Sequence, residues 1–342
     1  MKALMLDKAG FEDWLRELAG QFEIFGPKAN DRGIVNWQKL NEGELPDERP
    51  GVPKGSIKTF FFPQPETLLE FSARPGTEDA FIPHEPGTEH KPRLVVGVRP
   101  CDARSVVLNA MPYEDDPYFH KNRQNVVLIG LACRQGCSTC FCTWTGGSPV
   151  GTEGLDILAY PVSRGYVLEP VTERGASLVE SAGPGNDATG AELKELEEIR
   201  SKAPSSLPET MELAPRLREK GLMDLYNAPF WQQLSDSCIN CGTCTFLCPT
   251  CYCFDIQDET LRGKGRRIRY WDSCMFPLFT LHASGHNPRG EKVKRVRNRF
   301  MHKLKYFPER FGPLSCVGCG RCVRDCPVNI DIRQVINELL AT

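Results

Sequence analysis

The sequence predicts an α/β domain in the N-terminal half and a mostly α domain at the C-terminal end, and three observations support this division. Two apolar runs of strand length, 94–98 and 126–131, flank a helical stretch at 103–110. A charged, cysteine-free stretch follows residue 183. Beyond residue 235, two cysteine runs repeat the same spacing. The expected parts are an α/β domain at 1–182, a helical connector at 183–235 and a cysteine-rich domain at 236–342.

The N-terminal elements follow from hydrophobic spacing. Residues 1–20 are predicted to form an amphipathic helix, because Leu4, Phe11, Leu15 and Leu18 recur at roughly helical spacing. Residues 27–56 are rich in Pro, Gly and charge and are predicted to be loop. The two apolar runs predict buried strands, and Asp102 is placed to cap the helix between them. Together they predict a βαβ unit with a right-handed crossover.

The connector and the C-terminal domain contain predicted helices. GPGNDATG predicts a flexible break, AELKELEEIRSKA a charged helix, and a second helix is expected near 209–220. A basic helical insertion is expected at about 255–312, because residues 262–310 contain 14 Lys or Arg and 3 Asp or Glu. In KVKRVRNRFMHKLKYF, Val293, Val296, Phe300 and Leu304 are expected to pack inward. The cations are expected on a solvated face that could also dock an acidic partner.

Length, charge and cysteine content restrict the function. The 342 residues carry a net charge of −2, which gives no indication of nucleic-acid or membrane binding. The first fifteen residues contain charges throughout, no secretory signal is recognised, and no apolar run approaches the length of a membrane span. A cytoplasmic protein is expected. Sixteen cysteines in such a chain indicate metal or redox chemistry rather than a disulfide framework.

Two cysteine runs carry the strongest signal. Each has the spacing C-x2-C-x2-C-x3-C-P, which is the bacterial ferredoxin spacing for [4Fe–4S] clusters. In that arrangement the fourth cysteine of each run binds the other cluster. The first cluster is therefore assigned to Cys238, Cys241, Cys244 and Cys326, and the second to Cys316, Cys319, Cys322 and Cys248. Two zinc sites are the alternative, but zinc does not require the third cysteine or the C-x3-C-P ending.

A third group of cysteines follows the two predicted strands. Cys101 and Cys133 come directly after them, and the carboxyl ends of neighbouring parallel strands meet at one edge of a sheet. In an extended segment, Cys140 and Cys142 would face the same way. A third cluster held by Cys101, Cys133, Cys140 and Cys142 is predicted, with Cys137 left over. A set of Cys133, Cys137, Cys140 and Cys142, or small buried thiols without metal, remain alternatives.

Three further cysteines belong to neither pattern. Cys251, Cys253 and Cys274 could hold an incomplete cluster, although packing in the core is favoured. His282 and His286 could carry protons or bind a metal, but hydrogen bonds within the fold account for such histidines more simply. No G-x-G-x-x-G follows a strand, so the sequence does not predict a bound dinucleotide.

The motifs in combination resemble the iron–sulfur β subunits of soluble sulfhydrogenases and the A subunit of anaerobic sulfite reductase. The resemblance rests on VRPCDARSVVL, NVVLIGLAC, STCFCTW, CINCGTCTFLCPTCYCFD, RYWDSCMFPLFTLHASGHNPR and CVGCGRCVRDCPVNIDI, and it covers about residue 90 to the end. It implies an electron-transfer subunit of a hetero-oligomeric oxidoreductase in anaerobic metabolism. Its implied partners are a flavin- and NAD(P)H-linked subunit and a catalytic subunit such as a hydrogenase or a sulfur or sulfite reductase.

Other functions fit parts of the pattern. Cys133, Cys137 and Cys140 have the spacing of radical S-adenosylmethionine enzymes, but fewer than a hundred residues separate Cys142 from Cys238, too few for a (β/α)8 barrel of about 250 residues. A disulfide or heterodisulfide reductase would bind substrate sulfur at the N-terminal centre, although the adjacent Cys-Cys pair of one such family is missing. A free-standing polyferredoxin or redox sensor would not need the N-terminal domain.

Overall fold

The computed structural model describes residues 4–49, 51–76, 78, 80–87, 91–183 and 186–342. Its eleven strands, within these described ranges, are β1 Leu4–Asp7, β2 Glu23–Ala29, β3 Val35–Lys39, β4 Glu66–Ser72, β5 Arg93–Val98, β6 Val126–Leu131, β7 Ile157–Val162, β8 Gly165–Pro170, β9 Asn186–Asp187, β10 Phe254–Leu261 and β11 Lys264–Trp271.

The described helices are distributed along the whole chain. They are α1 Lys8–Leu18, α2 Pro100–Ala110, α3 Pro117–Gln124, α4 Glu173–Ser181, α5 Gly190–Ser205, α6 Leu213–Glu219, α7 Leu222–Asn227, α8 Phe230–Ser237, α9 Thr243–Phe246, α10 Lys292–Met301, α11 Phe307–Phe311, α12 Arg321–Arg324 and α13 Ile332–Ala341. Short 3-10 turns lie at Ile57–Phe60 and Cys142–Thr145, and a π-helical turn at His302–Tyr306 joins α10 to α11.

The N-terminal part is built on an eight-stranded mixed sheet in the order β3-β2-β5-β6-β7-β8-β1-β9. Strands β2, β5, β6 and β7 run parallel, and the strands at both flanks are antiparallel. Strands β6 and β7 are buried along their whole length, and β5 is buried from its second residue onward, as expected for a parallel sheet covered on both faces. The predicted α/β architecture of this region, with β5, α2 and β6 as its first central unit, is confirmed.

A second, three-stranded sheet joins the two halves of the chain. The hairpin of β10 and β11 comes from the C-terminal region, and β11 pairs antiparallel with β4 from the N-terminal region. Arg269 on β11 reinforces this pairing, because its guanidinium lies 2.5 Å from the carboxylate of Glu66 and both side chains are buried. The cysteine-rich region is therefore fastened to the α/β region by backbone pairing as well as by side chains.

Several elements differ from the sequence prediction. The N-terminal helix starts only at Lys8, because Leu4–Asp7 form a strand, and residues 1–3 lie outside the described part. Two strands, β2 and β3, occupy part of the predicted loop at 27–56. The predicted break at 183–190 falls partly on residues 184 and 185, which also lie outside the described part. The helix after β5 begins at Pro100, and Asp102 lies within it rather than at its cap.

The C-terminal region is not helical throughout. The predicted basic insertion begins with the β10–β11 hairpin, and its helix starts only at Lys292. Val296, Phe300 and Leu304 are buried as predicted, and Val293 packs against the same cluster. Arg295, Arg299 and Lys303 are buried as well, so the expected solvated face is wrong for these cations. Within the described residues, no helix is both long and apolar enough to cross a lipid bilayer.

Candidate metal centres

The first group of thiols surrounds a small, mostly apolar cavity. Its lining includes all four cysteines predicted for the first cluster, together with one predicted for the second: Cys238, Cys241, Cys244, Cys326 and Cys322. Backbone amides of Asn240 and Ile330 donate to the sulfurs of Cys238 and Cys326 over 3.4 and 3.2 Å. Such bonds stabilise negative charge on sulfur. The cysteine that lies far away in sequence is thus brought beside the first run.

Left-handed glycines allow both cysteine runs to turn tightly. Gly242 and Gly320 have φ near +75° and precede the short helices α9 and α12. A Cβ atom at Gly242 would lie 2.8 Å from the Phe276 ring, and one at Gly320 would lie 2.5 Å from the carbonyl oxygen of Thr139. Only glycine therefore fits these positions without a shift of the surroundings.

The second group of thiols lies deeper. Cys316, Cys319 and Cys248 are each at most 8% exposed. The ammonium of Lys303 donates to the Cys248 sulfur over 3.2 Å, and its charge also interacts with Cys316. The cation therefore bridges the fourth cysteine of the first run and the first cysteine of the second run, which were assigned to one cluster.

The third group gathers five cysteines around another cavity. Its lining includes Cys101 from the start of α2 and Cys133 from the end of β6, as the sheet-edge argument expected, together with Cys137, Cys140 and Cys142. The structure pairs Cys137 with Cys140 in a disulfide, with their Cα atoms 5.3 Å apart. Cys101, Cys133 and Cys142 are free thiols. Cys140 can therefore act as a ligand only after reduction, which would also release Cys137.

The third group lies directly against the second cysteine run. The backbone amide of Phe141 donates to the carbonyl of Gly318 over 2.8 Å. A Cβ atom at Gly318, whose φ is +62°, would lie 2.5 Å from the backbone nitrogen of Cys142. Cys101 packs in the same small apolar cluster as Cys319. The two cysteine sites thus touch across the boundary between the α/β region and the cysteine-rich region.

A buried ion pair stabilises this boundary. Arg321, which lies between Cys319 and Cys322, donates two hydrogen bonds of 2.6 and 2.8 Å to the carboxylate of Asp102, next to Cys101. Both side chains are fully buried. The guanidinium also donates to the carbonyls of Pro53 and Gly55, so its fork is well satisfied. No sequence pattern indicates this pair, because its members are 219 residues apart along the chain.

Burial disfavours thiolate formation at several of these cysteines. It raises the pKa of Cys101 and Cys133, and it raises the pKa of Cys142 and of Cys316 to about 12. The pKa of Cys248 is lowered instead, by its contact with the Cys251 thiol and by the Lys303 ammonium. Metal binding at the high-pKa thiols would therefore release protons.

Buried cations were missed by the sequence analysis. Arg299, Lys303 and Lys58 are each at most 4% exposed, and the charge of each interacts with nearby cysteine thiols. In the described part of the chain, the ammonium of Lys303 donates only to the Cys248 sulfur, the Thr250 hydroxyl and the Ser315 carbonyl. The Nε of Arg299, which lines the first cavity, has no hydrogen-bond partner among the described residues.

The residues present fit iron–sulfur clusters. The donor set is thiolate, the left-handed glycines allow tight turns beside the sulfurs, and Arg299, which lines the first cavity, has a buried Nε without a hydrogen-bond partner among the described residues. An anionic group bound there would complement this buried cation. Within the described residues, no three His, Cys, Asp or Glu side chains are arranged to hold a single metal ion.

Comparison with known proteins agrees with this chemistry. Residues 237–330 match the family model of a 4Fe–4S dicluster domain. The chain is 31% identical over 258 residues to the sulfhydrogenase 2 β subunit of Pyrococcus furiosus, covering 72% of this chain and 73% of that protein. No solved structure matches the chain.

The cysteine-rich region therefore defines an iron–sulfur protein of the 4Fe–4S dicluster class, with a role in electron transport. The relationship to the Pyrococcus subunit extends beyond that domain and over most of both chains. The chain belongs to the sulfhydrogenase β-subunit family, as the resemblance in the sequence predicted.

Proposed function

We propose that this chain relays electrons between a flavin- and NAD(P)H-linked partner and a catalytic partner of the hydrogenase, sulfur reductase or sulfite reductase type, within a hetero-oligomeric cytoplasmic complex. A [4Fe–4S] cluster, when bound, supplies reversible one-electron transfer. The chain itself would hold such clusters in a row, shield them from water and set their reduction potentials through nearby charges. Bond-making chemistry belongs to the catalytic partner in this proposal.

The proposed ligands are the cysteines that the structure groups together. Cys238, Cys241, Cys244 and Cys326 would hold the first cluster, and Cys316, Cys319, Cys322 and Cys248 the second. Cys101, Cys133, Cys140 and Cys142 would hold the third once Cys140 is reduced. The three proposed parts of the chain, 1–182, 183–235 and 236–342, would then contribute the third centre, a connector and the two ferredoxin-type centres.

The contact between the third and second groups carries this proposal. Phe141 is hydrogen-bonded to Gly318, and Cys101 packs with Cys319. Cys322 lines the first cavity and belongs to the second run, so the second group also adjoins the first. This supports the order third, second, first along the relay. A chain that only stored clusters would not need this continuity across two regions.

The first and third cysteine groups, at the two ends of the proposed relay, adjoin different kinds of surface. In the first group Cys241 is exposed, and Ile239 beside it is 62% exposed. Exposed apolar side chains near a redox centre suit a partner interface. At the other end, Cys133 also lines a polar pocket at the carboxyl edge of the sheet, where Lys8, Arg99 and Arg134 contribute positive charge. We assign one partner to each end.

Electron transfer through the chain can be tested in the intact complex. The tagged protein is purified anaerobically from its native host, as wild type and as Cys244→Ser. Wild type is expected to co-purify with a flavoprotein and a catalytic subunit and to support nucleotide-linked turnover. Cys244→Ser is expected to co-purify with the same partners but to lose that turnover, because one proposed ligand of the first cluster is missing.

Ser237→Ala provides the control, because Ser237 is exposed at the end of α8 and precedes the same loop without contributing a thiol. It is expected to behave as wild type. Unchanged turnover in Cys244→Ser would contradict the relay. Recovery of the wild-type chain alone, fully active in its native reaction, would contradict the proposed partners.

A further inference from the structure

Three cysteines remain outside the three proposed clusters, and the fold brings them together. Cys251 and Cys253 lie in the irregular segment between α9 and β10, and Cys274 lies three residues beyond the end of β11. The amide of Asp272 donates to the carbonyl of Cys253 over 2.9 Å, which holds the two segments side by side. The thiols of Cys253 and Cys274 are in direct contact.

This group lies in the protein interior, beside Cys248 of the proposed second cluster. Cys274 is 8% exposed and belongs to the C-terminal apolar core, against which Cys253 packs. Cys251 contacts the thiol of Cys248, the proposed ligand of the second cluster. Any redox centre held by these three cysteines would thus adjoin the proposed relay.

A buried lysine from the N-terminal region, Lys58, lies against the same group of cysteines. Lys58 is 3% exposed, and its ammonium donates to the carbonyls of Cys251 and Thr245 over 3.0 and 3.2 Å. It also lies 4.1 Å from the centre of the Trp271 ring. These partners are neutral, and a buried ammonium without an anion is costly. The nearby thiols whose negative charge would offset that of Lys58 are Cys251, Cys248 and Cys253, and two of these three lie outside the proposed ligand sets of the other clusters.

The sequence around Cys251 and Cys253 repeats a short motif that is present in the third group. TCFC at 139–142 contains two proposed ligands of the third cluster, and TCYC at 250–253 contains Cys251 and Cys253. In both places a remote cysteine from the end of a strand or the start of a helix joins the pair. Three neutral thiols used only for packing would explain neither this repetition nor the lysine.

We propose that Cys251, Cys253 and Cys274 hold a fourth metal centre, an iron–sulfur cluster with three cysteine ligands, whose negative charge is balanced by Lys58. The ammonium would stabilise the thiolate-bound cluster, and contact with Cys248 would connect it to the second cluster. This centre would extend the proposed relay, so its test has to separate the two proposals.

The experiment compares iron, acid-labile sulfide and zinc per chain in anaerobically purified protein, together with 57Fe Mössbauer spectra. The variants are Cys253→Ser and Cys274→Ser, neither of which belongs to a ferredoxin run. Ser273→Ala is the matched control, because Ser273 is fully buried next to Cys274 and lacks a thiol. Wild type is expected to contain about 15–16 iron atoms, compared with about 12 for three cubanes.

Each cysteine variant is expected to lose about three or four iron atoms and the same single spectral component, whereas Ser273→Ala retains both. Wild type with about 12 iron atoms, or variants with unchanged iron, would overturn the fourth centre alone, and a wild-type count of about 8 would overturn the third centre as well. One zinc ion lost in both variants would overturn its iron–sulfur nature. Wild type without iron would overturn the relay as well. If a variant loses all its iron through misfolding, the wild-type count decides.

Discussion

The two cysteine-containing regions are organised in opposite ways. In the C-terminal region, each run of four cysteines lies within eleven residues, and a glycine turn and a short helix arrange three of them locally. In the N-terminal region, Cys101 and Cys133 are separated by a helix-containing crossover and meet only because β5 and β6 are parallel neighbours. The first arrangement can be recognised in the sequence, whereas the second depends on the fold.

The two regions should therefore differ in how strongly their cysteine sites depend on the tertiary structure. A local run retains most of its donors if tertiary structure loosens, whereas the N-terminal group requires the sheet, the Asp102–Arg321 pair and the contact of Phe141 with Gly318. We therefore expect the N-terminal centre to be the more sensitive of the two to mutation at the boundary.

The largest effect is expected from mutating a cysteine of one C-terminal run that is assigned to the cluster of the other run. Cys326→Ser should remove the same cluster as Cys244→Ser, with a loss of about four iron atoms, because both thiols line the first cavity. Electron paramagnetic resonance of the reduced variants should show loss of the same signal in both. Loss of two different signals would contradict the assignment of the fourth cysteine to the other run.

Single mutations can decide whether Cys140 or Cys137 is the ligand in the N-terminal group. Cys140→Ser should remove the third centre, with a loss of about four iron atoms, whereas Cys137→Ser should retain it and free Cys140 from its disulfide partner. Iron analysis of reduced, anaerobically purified protein checks both. The reverse pattern, with Cys137 required and Cys140 dispensable, would make Cys137 the ligand.

The boundary can be weakened without removing a thiol. Asp102→Asn leaves the Arg321 guanidinium buried without its counter-charge, which should lower the free energy of unfolding by about 3–5 kcal/mol. Denaturant unfolding under anaerobic conditions measures the change. Asp325→Asn, at the more exposed pair with Arg324, should cost about 1 kcal/mol or less. Equal effects of the two variants would contradict a special role of the buried pair.

The smallest effect concerns the charge near the second cluster. Lys303→Met removes the ammonium that donates to the Cys248 sulfur, which should lower one reduction potential by on the order of 50–100 mV. Lys305→Met is the matched control, because Lys305 is also buried in the π-helical turn but its ammonium contacts three backbone carbonyls and Glu309 instead of a thiol. A redox titration that shows equal shifts in both variants would contradict the tuning role.

Sequence patterns were sufficient to predict secondary structure where a strand is buried on both faces. Strands β5 and β6 appear as continuous apolar runs, their parallel pairing and the bounds of β6 agree with the prediction, and β5 begins one residue earlier than predicted. The hairpin β10–β11 was missed because β10 is exposed along its whole length and its apolar alternation stops after Phe254 and Ile256. Strands β2 and β3 were missed because residues 27–56 are rich in Pro, Gly and charge, a composition typical of loops.

The buried cations could not be predicted for a different reason. Arg299 and Lys303 lie in a basic helical stretch whose charges would ordinarily face water, and only the fold shows that thiols from two distant runs surround them. Lys58 approaches Cys251 from 193 residues away. The ligand sets themselves stay predictions. The first and third are supported by the cavities that their cysteines line, and the second by the contacts of Lys303 with Cys248 and Cys316.

The most direct test of the relay is whether the N-terminal group contains a redox centre next to the second cluster. Anaerobic protein is reduced stepwise, and its paramagnetic resonance spectrum is compared between wild type and Cys101→Ser, a variant that leaves both C-terminal runs intact. The account predicts an additional reducible centre in wild type, magnetically coupled to its neighbours, that is absent from the variant. Identical spectra throughout the titration would contradict a continuous row of clusters across the two regions.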